Sequence, residues 1–319
     1  MEKVGFIGSP RAGQVARQVL SMGSCELLAW QPDEVDGEAD QSGDLPAVTP
    51  VELDELAEVP LIVLSTGIAQ CRGLARRLGD VITGRHVVVH TIRAVEAGTH
   101  KTASQILFEE TPTRRIGFVT GPLRLNDLRQ ERPASAVCSS HFPEVHDLVE
   151  DAMMSGRVRI YHSRDLIGAE LSSIYARVIA LICGIGEGMG FGASLQATLF
   201  ARGLAEMARF VVHQDGYERT SFGLSGTGNL QADIYDEGSI DFQMGQHLAA
   251  HPTDASHNLE PTFGDDAREL MDALAAFGEI SEESELELHL LDAVLAIVDA
   301  QIPPMEMVKG LMQLPALYE

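Results

Sequence analysis

Residues 170–207 read ELSSIYARVIALICGIGEGMGFGASLQATLFARGLAEM, two apolar stretches hinged at a glycine-rich turn. Residues 170–184 and 194–213 carry apolar side chains at spacings of three and four, the period of a helix that buries one face. Residues 265–277 repeat the pattern, and from Leu166 onward no strand signal appears. A further helix is expected to start at Ser281, whose hydroxyl can cap a first turn; Glu282, Glu283 and Glu285 suit the positive end of the helix dipole. Pro303-Pro304 is expected to stop it, with a last short helix over 305–312. The second half of the chain therefore reads as all-α.

Upstream the pattern is different. Residues 4–8, 26–30, 61–66, 86–90, 116–120, 135–139 and 158–162 read as strands, several of them unbroken Val/Ile/Leu runs as in parallel strands buried on both faces. Amphipathic stretches at 14–21, 70–78 and 142–154 lie between them, and that alternation predicts a doubly wound parallel sheet. The domains are expected at 1–164 and 165–319, with the boundary near Asp165. Residues 32–50, acidic and without period, read as a surface loop. No internal repeat is evident.

The first strand runs into GSPRAG, residues 8–13. This is the frame of a dinucleotide-binding turn, GxGxxG, with its middle glycine replaced by Pro10. Gly8 and Gly13 keep the tight turn and the helix–strand packing. Pro10 puts a ring where a pyrophosphate should come close and removes an N–H. Asp33, after the second strand, is the nearby acid that could grip ribose hydroxyls, and equally the first acid of the loop.

The chain of 319 residues has 23 basic and 47 acidic side chains, a net charge of -24. Such a balance excludes phosphate-backbone recognition of nucleic acid and attraction to an anionic membrane. A small anion held by a few local arginines is not excluded. Only Lys3, Lys101 and Lys309 are lysines, which suits salt adaptation and also leaves few groups that burial can tune into an acid or base. Cys25, Cys71, Cys138 and Cys183 are far apart and read as free thiols of a reducing cytoplasm; no metal-ligand spacing occurs. The N-terminal MEKVGFIGSP lacks the pattern of a signal peptide, and no apolar run of about 20 residues is free of charge.

Several motifs in order give a resemblance. Gly121-Pro122 with Asp127 is similar to a GPxxAxE stretch. YHSRDLIGAE (161–170), the turn and helix GEGMGFGASLQATLFARGLAEM (186–207), and TSFGLSGTGNL (220–230) followed by Ser239-Ile240-Asp241 complete the series. Together they resemble the NAD(P)-dependent glycerol-3-phosphate dehydrogenase family. The resemblance implies a Rossmann-like domain followed by a helical domain of the 6-phosphogluconate dehydrogenase C-terminal type. It also implies an NAD(P)-linked oxidation at C2 of glycerol 3-phosphate and a homodimer paired through the helical domain. The apolar residues near 174–183 suit that burial.

At the positions that resemblance makes functional, this sequence departs. Arg93 stands for one lysine and cannot deprotonate near neutrality. Ala176 stands for the second lysine, and Arg177 for the asparagine after it. Asn229 replaces an aspartate, Ile240 a phosphate-binding arginine, Asp241 an asparagine, and Ser194 the asparagine of the glycine-rich turn. Asp241 is expected to repel a phosphate. The family's cofactor-touching glutamate-glycine pair has no clear counterpart in HNLEPTFG (257–264), where Glu260 is the candidate remnant. His90 and His162 are candidate replacement acid/bases, and Asp165 and Glu170 are retained acids of the domain junction, able to hold a helix start.

The sequence therefore points to a homologue without dehydrogenase activity, needing no cofactor, that serves as a regulatory, scaffold or sensor protein with an unidentified protein partner. The alternative is an active NAD(P)-dependent oxidoreductase with a changed substrate. An ordinary salt-adapted enzyme explains the lysine depletion but not alanine at residue 176.

Overall fold

The computed structural model describes residues 1–8, 12–31, 46–236, 238–251 and 259–313. Pro10, Asp33 and residues 32–45 of the acidic loop lie outside them. Strands β1 (Lys3–Gly8), β2 (Glu26–Ala29), β3 (Thr49–Pro50), β4 (Leu61–Ser65), β5 (Val87–His90), β6 (Ile116–Thr120), β7 (Ala134–Ser139) and β8 (Val158–Ser163) form one sheet in the order β3-β2-β1-β4-β5-β6-β7-β8. All seven expected strands are present within one residue at each end. The two-residue β3 adds to them at the end of what reads as loop, pairing Leu28 with Thr49.

One pair breaks the parallel expectation. β6 and β7 are antiparallel, with Thr120 opposite Val137. Between them lies only a short helix, Leu125–Arg129, and so the chain never crosses back to the opposite edge of the sheet as a parallel return requires. β7 therefore starts beside the end of β6.

Helices cover both faces. Gln14–Ser21 (α1) and Pro143–Met153 (α5) pack with Val4, Val63, Val89 and Val119 on one side. Ile68–Gly79 (α2) and Ala103–Glu110 (α3) pack with Ile7, Ile62, Leu64 and Val88 on the other. The segment Leu125–Arg129 is α4. Each central strand is buried on both faces because the residues at i and i+1 each meet a helix layer.

β8 ends at Ser163 and α6 begins at Leu166, running 23 residues to Gly188. This helix is mostly apolar and buried on nearly every side. It is long and apolar enough to cross a membrane, yet 94% of its most apolar window is buried inside the chain. Every residue from Ile174 to Cys183 is buried there. The apolar residues near 174–183 are thus buried within one chain.

Around α6 stand α7 (Ala193–His213), α8 (Glu218–Ser221), α9 (Asn229–Tyr235), α10 (Ile240–Ala250), α11 (Leu259–Phe263), α12 (Asp265–Glu283), α13 (His289–Val298) and α14 (Pro304–Gln313). A side chain at Gly184 would strike the carbonyl of Phe242, and one at Gly245 would strike that of Leu181. These two glycines let α6 and α10 approach backbone to backbone. Ser281 is a correction: it lies inside α12, buried, with its Oγ donating to Leu286 O at 2.7 Å. The next helix begins at His289, because α12 keeps its apolar face through Gly278 and needs no break at the acids.

Candidate functional site

The carboxyl edge of the sheet meets α6, α9, α10 and α12, and the rewritten positions gather there. Arg177, one residue past Ala176 on α6, is buried. Its Nε donates to both oxygens of Asp241 at 3.1 and 3.0 Å, and its Nη2 to Asp241 Oδ1 at 3.0 Å. Nη1 reaches the carbonyl of Arg93 at 2.9 Å and Nη2 that of Asp266 at 3.1 Å. Burial opposes the charge of Arg177, but Asp241 outweighs it and holds the guanidinium above its ordinary pKa. Asp241 is therefore not a lone acid awaiting a phosphate. It neutralises Arg177, and the expected repulsion gives way to an internal ion pair.

Arg93, in the loop after β5, donates to the carbonyl of Ser173 at 3.1 Å and to Asp233 Oδ2 at 3.2 Å. Arg124, just before α4, donates to Asp233 Oδ1 at 2.6 Å and to the carbonyl of Asn229 at 3.2 Å. Two arginines of the sheet domain thus share one carboxylate of α9. Burial pulls the Arg93 guanidinium below its ordinary pKa, with Asp233 and Asp241 opposing. Asn229 Nδ2 donates to Thr120 Oγ1 and Ser225 O, both at 2.9 Å, while its Oδ1 is buried without a partner. Ala176 sits wholly inside the apolar core of the helical domain, and Ile240 packs against that core.

The remaining candidates are elsewhere. His90 is buried, stacked on Phe118 at 4.9 Å, with Nε2 2.9 Å from Ser104 Oγ and 3.2 Å from Glu170 Oε1. Glu170 also accepts from Ser104 N–H and the Thr102 hydroxyl, each at 3.0 Å. This sealed cluster docks α6 on α3, so His90 has no path to a substrate. His162 lies on edge strand β8, 3.2 Å from Glu150 and stacked on His146. Asp165 caps α6 through Gly168 N–H at 2.9 Å and also accepts from Tyr217 N–H at 2.8 Å and Thr220 Oγ1 at 2.5 Å. Ser194 is exposed at the start of α7. Glu260 pairs with Arg268 on the surface.

Sequence reasoning missed Asp233 and Glu269. From α12, Glu269 accepts the N–H of Ile68, the first residue of α2, at 2.8 Å. Gly67, before it, has no side chain to do so. Burial raises the Glu269 pKa despite Arg177 nearby. A carboxylate from the helical domain thus fills the anion-attracting end of α2. At the other side of the turn, a side chain on Gly8 would run into the Phe6 ring, so packing alone accounts for that glycine.

A cavity of about 180 Å³ lies here, lined by the polar Thr91, Arg93, Thr120, Arg124 and Asn229 and by apolar side chains of α1, α5 and β8. Among the described residues no group of three or more His, Cys, Asp or Glu is placed to hold a metal ion.

A parallel sheet whose carboxyl edge is closed by a helical domain built on one long buried helix defines the class of two-domain dehydrogenase folds. The comparisons narrow it. The model described as NAD-dependent glycerol-3-phosphate dehydrogenase C-terminus matches residues 165–309, and its N-terminal counterpart residues 47–146. The chain belongs to the NAD-dependent glycerol-3-phosphate dehydrogenase family. The N-terminal match begins beyond Gly8–Gly13. The glycerol-3-phosphate dehydrogenase [NAD(P)+] of Desulfitobacterium hafniense is 33% identical, over 58% of this chain and 53% of that protein. That of Rhizobium etli is 28% identical over 100% of this chain and 99% of its own length. The solved glycerol-3-phosphate dehydrogenase of Coxiella burnetii superposes with a TM-score of 0.85 at 18% identity, covering 98% of this chain and 99% of that one.

Proposed function

We propose that this chain is a member of the family that has lost dehydrogenase activity and acts in regulation, scaffolding or ligand sensing. The observation that carries this reading is that an arginine–aspartate hydrogen-bond clasp stands where a proton-transfer site is expected. Arg93 and Arg177, at or beside the lysine positions, hold Asp233, Asp241 and main-chain carbonyls. Ala176 offers no functional group. General acid–base catalysis contributes roughly 10²–10⁴-fold and positioning of bound groups often more, so losing both leaves negligible turnover. The test is oxidation of glycerol 3-phosphate and reduction of dihydroxyacetone phosphate with NAD(P)(H) at micromolar enzyme. No saturable rate is expected; a robust one with either substrate sinks the proposal. A dinucleotide titration followed by fluorescence is expected to show weak or no binding.

The alternative, an oxidoreductase with a changed substrate, draws on the cavity that persists beneath Arg93 and Arg124. Tight dinucleotide binding would favour it.

A further inference from the structure

We propose that the cavity binds a small carboxylic acid with an apolar body and a hydroxyl beside the carboxylate, an apolar 2-hydroxy acid. This deepens the ligand-sensing reading above and rests on it in treating the site as one of binding. The cavity has two chemically different sets of lining side chains, the polar Arg93, Thr120, Arg124 and Asn229 and the apolar Val15, Ala16, Val19, Met153 and Ile160; the first are called its mouth and the second its floor.

The arginines have N–H donors left for an anion. The two guanidinium groups share Asp233, and Asp236 forms a second ion pair with Arg124. Arg124 Nε is buried without a hydrogen-bond partner; Asp236, about a third exposed, comes to 3.4 Å of it without completing a bond. Neither Arg93 Nη1 nor Arg124 Nη1 meets an acceptor among the described residues. Arg177 and Asp241 cancel each other and add no net charge. A carboxylate bridging the two arginines would use these spare donors in charge-assisted bonds.

The buried Asn229 lines the same mouth, and its Oδ1 lacks a donor. An unpaired buried acceptor is costly, and a ligand hydroxyl next to the carboxylate would satisfy it. The floor then decides the ligand's body. A cavity of about 150 Å³ admits benzene, so the space here suits a branched aliphatic or single-ring group. The hydroxyls of glycerol 3-phosphate would face Val15, Val19 and Ile160 and lose their hydrogen bonds to water without replacement.

Calorimetric titration of the protein, without dinucleotide, tests this with 2-hydroxyisocaproate, isocaproate and glycerol 3-phosphate. Saturable binding is expected for 2-hydroxyisocaproate, about tenfold weaker binding for isocaproate through loss of one hydrogen bond, and the weakest binding for glycerol 3-phosphate. Arg124→Leu should abolish binding. Ala16→Leu, which fills the floor and leaves every ion pair intact, should abolish it too while circular dichroism stays unchanged. Glycerol 3-phosphate binding as tightly as the apolar acid, or unchanged affinity in Ala16→Leu, overturns the inference, as does no binding of 2-hydroxyisocaproate. These outcomes are separate from the dehydrogenase assay: turnover of glycerol 3-phosphate would sink the loss of activity, while absent binding without turnover would sink this inference alone.

Discussion

Arg177 and Asp241 form a pair whose members are expensive apart and replaceable together. Removing one partner of a buried ion pair leaves an uncompensated charge, at a cost of about 3–5 kcal/mol. Asp241→Ala is therefore expected to lower the unfolding free energy by that amount. The double variant Arg177→Asn/Asp241→Asn, neutral at both positions, should recover most of it. Urea unfolding of both single variants and the double measures the coupling; additive losses would show that the pair does not act as a unit. In the sequence, the missing lysines at residues 93 and 176 were legible because a side chain's chemistry travels with its letter. The pairing was not. Residues 177 and 241 lie 64 apart, and Asp241 taken alone reads as a repelling acid. The available signal was a joint one, a gained cation beside Ala176 and a gained anion beside Ile240. Asp233 and Glu269 gave no such hint, since each acts on the opposite domain.

Helix ends show the same habit of using a distant carboxylate. Leu288 precedes α13 without capping it; Glu206 of α7 does so instead, accepting the N–H groups of Leu290 and Leu291 at 2.9 and 3.2 Å. Burial pushes the Glu206 carboxyl up to about 7 from 4.5, against those bonds. The folded chain thus holds this proton more tightly than the unfolded one. Its contribution to stability is full below about pH 4.5, falls as pH rises toward 7, and is flat above. The shift corresponds to roughly 3 kcal/mol. Glu206→Gln keeps an acceptor at the helix start and should flatten the stability profile between pH 4.5 and 7 relative to the parent; identical profiles would rule this out. At this scale the sheet was largely readable, because strands buried on both faces need continuous apolar runs. The α12 continuation through Ser281 and the short helix α8 were not: Ser281 bonds to Leu286 instead of capping a helix, and the start of α8 is held by the distant Asp165. The antiparallel β7 depends on the path of a loop, which composition does not encode.

For the whole molecule the net charge of -24 works against compactness through self-repulsion, and the two domains are nonetheless joined by charged side chains. Arg93 and Arg124 reach Asp233, Arg177 reaches the loop of Arg93, and Glu269 reaches Ile68. The two-domain organisation was visible in the change of period near residue 165; the joint between the domains was not, being made wholly of long-range contacts. Arg177 alone ties its helix to residues 84 and 89 positions away. Such contacts close long loops and are satisfied only after both domains have formed. Interactions absent from the folding transition state act on the unfolding step. Arg177→Ala is thus expected to speed unfolding by about a hundredfold while refolding changes by less than about threefold, as read from both arms of a chevron; a comparable slowing of refolding would place the contact early instead. Arg177 would then set a duration: how long the joined chain persists before its halves part.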